Sequence, residues 1–169
     1  MSYRNKTYVA FASEDIRYYR LMEAWRDNDH IGFDFSDAHD LVTALDTSLP
    51  ATIRRRLRER LNNTKQVVLL GSDHARRKGG DGQSFLSYEI ETAIELKLPV
   101  VVANLDGDRS IDRKFIPQPF LNTNYYTLSV SFQPKIIMHA LDGYAPSFGS
   151  SGKSGPHYYQ EPVYSRLGL

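Results

Sequence analysis

The chain contains no cysteine, which removes disulfides, thiolate metal sites and cysteine nucleophiles together. No apolar run approaches the ~18 residues that a membrane-spanning helix needs. The opening MSYRNKTYVAF has no apolar signal-peptide core ahead of the first strand candidate. Charge of either sign is not in excess: the formal net charge is +1, so electrostatics make no case for nucleic acid as the main partner. These absences predict a cytoplasmic protein that engages neither membrane nor nucleic acid.

What is present is ordinary for a globular protein: 169 residues, 41% of them hydrophobic and 24% charged. That length gives one domain with a single sizeable core. The domain is expected over residues 1–145. Residues 146–169 read as a tail rich in glycine, serine, proline and tyrosine, a composition that disfavours a packed element. Its tyrosines are expected to contact a partner, a second copy, or the domain itself.

Strand and helix candidates alternate along the domain. Thr7–Ala12 is β-branched and aromatic, a first strand. Ser13 follows as a helix cap with Glu14 and Asp15 in the first turn, where the helix dipole favours acids. Tyr18, Leu21, Met22 and Trp25 form the stripe of that helix, and Ile31–Phe35 reads as a short second strand. The polar stretch Ser36–Ser48 is too long for an ordinary connection of ~2–6 residues.

Pro50 suits the first turn of a helix that carries RRRLRERL and ends at Asn62-Asn63. Gln66–Gly71 is apolar almost throughout, as a strand covered on both faces must be. Ser72–Gly82 reads as a glycine-rich charged loop. Leu98–Ala103 and Tyr125–Val130 read as the last two strands, with irregular chain and a short helix near Arg113 between them. Lys135–Leu141 is the final helix.

Five strands alternating with helices predict an α/β fold, a flavodoxin-like doubly wound parallel sheet of order 2-1-3-4-5. Ligands bind such sheets beyond the carboxyl ends of the strands, where strand order reverses. Here that crevice lies between strands one and three, at Phe11-Ala12-Ser13 and Gly71-Ser72. The helix over Gln83–Lys97 leaves strand three. Ser84 is its expected cap, and Leu86, Ile90, Ala93 and Ile94 make its buried stripe. Phe85 and Glu89, four apart, share a second face, ring over carboxylate. This topology brings Glu89 towards the crevice as a working carboxylate at the rim of a nucleotide pocket. A solvated helix carboxylate, like Glu91 and Glu95, is the competing reading.

Other clusters carry less. Asp37, His39 and Asp40 in SDAHD lack a fourth ligand, so no metal is expected. The RRRLRER run reads as a solvated helix face, and Arg76-Arg77-Lys78 beside Gly79-Gly80 as a mobile surface loop in preference to a phosphate contact. A phosphate-accepting receiver shares the topology, but Gly71 and Ser72 stand where it needs an aspartate.

YVAFAS followed by an acidic helix start resembles the opening of TIR domains, and Gly32-Phe33-Asp34 is similar to the second strand of their bacterial defence subgroup. RLRERLNNTKQVVLLGSDHARRK and SYEIETAIELKLPVVVANLDG resemble the TIR-like NAD-processing subunit of the bacterial Thoeris anti-phage system, over roughly residues 6–142. The resemblance implies cleavage of the nicotinamide–ribose bond of NAD, which is substrate and leaves no other cofactor required. It implies Glu89 as the catalytic carboxylate, where the family usually carries a tryptophan four residues earlier; here that position is Phe85. Phe85 walls the substrate, and Phe11, Ala12, Ser13, Asp34, Ser36 and Ser72 line the remainder. It further implies an ADP-ribose-derived, cyclic type of signal read by a separate effector protein, and self-association on activation. A non-enzymatic TIR-type module acting by homotypic assembly is the alternative.

Overall fold

A computed structural model describes residues 5–37 and 49–169, with backbone alone for Ser36 and Asp37. His39, Asp40 and most of the long polar stretch lie outside the described residues. The strands are β1 (Lys6–Ala10), β2 (Ser36–Asp37), β3 (Gln66–Gly71), β4 (Val100–Asn104), β5 (Thr127–Ser131) and β6 (Pro156–Tyr158). They form one sheet in the order β2-β1-β3-β4-β5-β6, every neighbouring pair parallel. The doubly wound 2-1-3-4-5 arrangement is therefore present, extended by a sixth strand.

The helices are α1 (Ile16–Arg26), α2 (Pro50–Asn62), α3 (Asp73–Gly79), α4 (Phe85–Glu95), α5 (Gln118–Asn122), α6 (Pro134–Ser147) and α7 (Glu161–Arg166). Strand alternation sorts them. Val9, Val68, Leu70, Val101, Ala103, Leu128 and Val130 face one way and pack with Tyr19, Met22, Ile136, Ile137 and Tyr164 from α1, α6 and α7. Tyr8, Ala10, Val67, Leu69, Val100 and Val102 face the other way, against Leu61, Ala75, Leu86, Ile90, Ala93 and Phe120 from α2 to α5. Burial on both faces is why β3 and β4 carry aliphatic side chains at nearly every position.

Five local expectations are corrected. Ile31–Phe35 is not a strand: Phe33 and Phe35 bury their rings in the α1 core, Phe33 edge-on to Trp25, while β2 begins only at Ser36. In the first helix Met22 is buried and Tyr18 and Trp25 pack against the core as expected, but Tyr19 joins them and Leu21 is exposed. Ser72–Gly82 is no loop in its first half but α3, because Ser72 Oγ accepts from the Ala75 N–H and caps it. The short helix after β4 is α5 at Gln118–Asn122, beyond Arg113. Ser84 holds the cap position of α4 without a side-chain cap bond, and Ser13 is no cap, since Asp15 stands at the N-cap of α1; Asp81 Oδ1 accepts from the N–H groups of Gln83 and Ser84, each at 2.8 Å.

The C-terminal segment packs. α6 runs across the boundary expected at residue 145, and Gly155, at φ +71°, turns the chain into β6 beside β5. Tyr164 on α7 is 0% exposed, and its Oη accepts from the Ser131 N–H at 3.1 Å. The Arg109 guanidinium lies over the Tyr164 ring and pairs with Glu161. Composition missed this because a few buried tyrosines outweigh many flexible residues. Tyr164→Phe leaves the Ser131 N–H buried without an acceptor and is expected to cost ~1–3 kcal/mol in urea unfolding, and Tyr164→Ala ~3–5 kcal/mol. A segment peripheral to the fold would change neither value.

Candidate functional site

Glu89 sits on the flank of α4 beside the buried stripe of Leu86, Ile90 and Ala93. Tyr8 reaches it from β1, because the period of two that buries Ala10 on the helix-facing side points Tyr8 the same way. The Tyr8 phenol donates to Glu89 Oε1 at 2.6 Å, with Tyr8 1% and Glu89 7% exposed. Arg60, in the last turn of α2, adds a positive charge beside both. Burial raises the Glu89 carboxyl to about 7, with the Tyr8 hydrogen bond and Arg60 pulling the other way. Burial, then the Glu89 charge, raises the Tyr8 phenol well above its ordinary range, so it stays a donor.

Glu89 is therefore not at a rim, as its helical face suggested, but under cover. The cover is α2, which runs along α4. Ile53 and Leu57 pack with Tyr88, and Phe85 leans against them from the first turn of α4. Arg58 and Glu95 pair at 2.6 Å and Arg54 and Glu91 at 3.5 Å, while Arg54 stands over the Tyr88 ring at 4.7 Å. The RRRLRER run is thus partly a clamp on α4 as well as a solvated face.

The carboxyl ends of β1 and β3 hold a second polar group. Ser72 Oγ donates to the buried Asp15 carboxylate, tying the two strand ends across the crevice. Lys78 on α3 lies 2.9 Å from both Ser13 Oγ and the Glu14 carboxylate, and Arg77 lies 3.7 Å from Glu14. Arg76 donates to the carbonyls of Arg113 and Ile116. All three basic residues of this segment thus have partners within the chain. Phe11 stacks on Tyr19 at 4.9 Å and Ala12 is buried, which leaves Ser13 as the exposed member of its trio.

Of the expected lining residues, Phe11, Ala12, Ser13 and Ser72 gather at the strand ends. Phe85 stands one turn above Glu89 on α4. Asp34 and Ser36 do not join them. Ser36 pairs with Lys6 at the start of β1, so the chain enters the sheet there rather than leaving it, and exposed Asp34 lies before that entry. Among the described residues, the carboxylate trio of Asp106, Asp108 and Asp112 has metal-like spacing, but Asp106 and Asp108 are occupied in loop hydrogen bonds. Sequence reading did not count Tyr8, Arg60, Asp15 or Lys78 among the site residues. Tyr8 was the findable one, since strand alternation already sets it on the helix-facing side with Ala10.

A family model described as Thoeris protein ThsB, TIR-like domain, matches residues 8–110, which include Tyr8, Asp15, Ser72, Phe85 and Glu89. No helix among the described residues is long and apolar enough to cross a membrane.

The raised Glu89 carboxyl has a stability consequence. Between its ordinary 4.5 and about 7 the folded chain holds a proton that the unfolded chain has lost. The contribution is full below 4.5 and is lost as pH rises through 7, to an extent of up to ~3 kcal/mol. Glu89→Gln keeps an acceptor for Tyr8 and removes the charge. Its unfolding free energy is expected to gain on wild type steadily from pH 5 to pH 8; parallel pH profiles would show the carboxyl to be ordinary.

Proposed function

Because the chain belongs to the family of the TIR-like domain of Thoeris protein ThsB, we propose that it is an antiviral-defence enzyme that cleaves the nicotinamide–ribose bond of NAD. The observation that carries this reading is Glu89: a carboxylate kept out of water, hydrogen-bonded through one oxygen, and poised near neutrality. Such investment is unlike a solvated helix residue.

Nicotinamide in NAD is a cationic leaving group, so it departs with the electron pair of its bond to C1′ and needs no general acid. What remains is an oxocarbenium-like ribose, which an adjacent carboxylate stabilises electrostatically while accepting from ribose hydroxyls. Glu89 supplies that charge when ionised, and its unused Oε2 is free to meet the ribose. Water captures C1′ to give ADP-ribose. Alternatively a nucleophile within the same molecule attacks C1′, loses its proton and gives a cyclic product. The second outcome fits a signal read by a separate effector protein, with NAD as substrate and no metal or further cofactor. Phe11, Ala12, Ser13, Ser72 and Phe85 form the remaining walls in this reading; Asp34 and Ser36 drop out of it.

In this conformation α2 and Tyr8 cover the carboxylate, so turnover requires α2 to draw back, as closing elements do in other enzymes. The same burial favours a second reading, in which the domain works by homotypic assembly and Glu89 is structural. Incubating the protein with NAD, alone and with phage lysate, and following nicotinamide by chromatography separates the two. Release that falls at least about a hundredfold in Glu89→Gln is the expected result. Release unchanged in Glu89→Gln, or absent in every condition while the protein assembles, favours the second reading.

A further inference from the structure

Resting on that NAD-cleaving reading, we infer that Tyr8 is a positioning residue for Glu89: its phenol pins Oε1 from the sheet side, so that Oε2 is left for the substrate and the carboxylate stays ionisable within a buried site. Arg60 assists from α2.

The geometry is specific. Tyr8 and Glu89 are far apart in sequence yet meet at 2.6 Å, both buried. A phenol buried at this place needs an acceptor, and phenylalanine would fill the same place in the apolar cluster that holds Ala10, Leu61 and Ile90 without that need. The hydroxyl therefore acts on the carboxylate rather than on packing. A carboxylate has about four acceptor positions on two oxygens, so one phenol leaves Oε2 unspent. Tyr8 also lies in the second strand from the sheet edge, paired with Val67 of β3 and following directly on Thr7, which pairs with β2, a rigid support for a hydrogen bond.

The groups facing Glu89 can be named from each neighbouring element. β1 offers Tyr8 and α2 offers Arg60. The other α2 cations close by, Arg54 and Arg58, are held by Glu91 and Glu95 on the outer surface of α4. Tyr8 donates a hydrogen bond to the Glu89 side chain, and Arg60 acts on it through charge. Loss of either makes the ionised form harder to hold, so both changes act in the same direction.

Tyr8→Phe and Arg60→Met test this, with two readouts. The first is the carbon-13 signal of the Glu89 carboxyl in protein labelled on glutamate, assigned by its loss in Glu89→Gln and followed from pH 5 to 10. The second is the pH profile of nicotinamide release from NAD. In Tyr8→Phe the Glu89 titration and the acid limb of kcat are expected to move up together by about one pH unit, a tenfold change in proton affinity. At pH 6.5 kcat falls about tenfold with KM little changed, and above pH 9 most of it returns. Arg60→Met moves both in the same sense by a smaller step.

A Glu89 titration unmoved in both variants overturns the proposal. So does an equal loss of kcat at every pH, the mark of a purely structural role, or faster release in Tyr8→Phe at pH 7, which would make the phenol a block. If wild type never releases nicotinamide but the titration moves as described, the hold of Tyr8 on Glu89 stands and the NAD reading alone fails.

Discussion

Taking a carboxylate out of water costs several kcal/mol unless a donor replaces the lost hydration. In this domain the donor comes from the first strand. That places a strict demand on β1: it must present Tyr8, and not Thr7 or Val9, to the side of the sheet that α4 covers. The register of β1 on β3, with Tyr8 opposite Val67 and Val9 opposite Val68, meets the demand. A slip by one residue would turn Val9 to Glu89 and Tyr8 to the α1 core. The apolar alternation that builds the two cores and the hydrogen bond that supports the acid are thus one choice of register.

The strand ends are fixed by a different device. Asp15 and Ser72 join the loop after β1 to the start of α3, and Gly79 lets α3 lie flush on its neighbours. A Cβ at Gly79 would come within 2.6 Å of Ile90 Cδ1 and 2.7 Å of Pro117 Cγ. Ile90 is the residue after Glu89, so the close approach of α3 also fixes α4 along its axis. The polar group at the crevice and the Tyr8–Glu89 pair share no hydrogen bond, yet both hang on the same placement of α3 and α4.

Fold class and strand order were legible because they rest on patterns the chain repeats: apolar runs at Gln66–Gly71 and Leu98–Ala103, and helical stripes between them. Glu89 was singled out as the proposed acid through its spacing from Phe85 and the resemblance of its segment to TIR-like proteins. Its burial was not. A helical wheel places Glu89 beside the stripe, but only the docking of α2 decides whether that flank meets water. The second strand was misplaced because Phe33 and Phe35 alternate as strand residues do while serving as anchors on the α1 core. The C-terminal segment was misread for the opposite reason. Its composition is that of a linker, and the residues that hold it, Gly155 and Tyr164, act through long-range contacts that no local pattern announces.

The two walls around Glu89 are unequally held. Tyr8 belongs to a strand with a partner on each side and side chains buried against both helical layers. α2 grips α4 through two ion pairs whose arginines are about half exposed, one arginine over a tyrosine ring, and a cluster of three buried side chains. Exposed ion pairs of this kind contribute ~0–1 kcal/mol each, and an exposed cation–π contact ~0.5–1 kcal/mol. On the proposed reading, α2 is thus the wall that yields more readily on opening and β1 the one that stays in place. The acid that such an opening uncovers is already held by Tyr8 on its inner oxygen, so opening and orientation are divided between separate elements: a weakly clamped helix for access, and the sheet for aim.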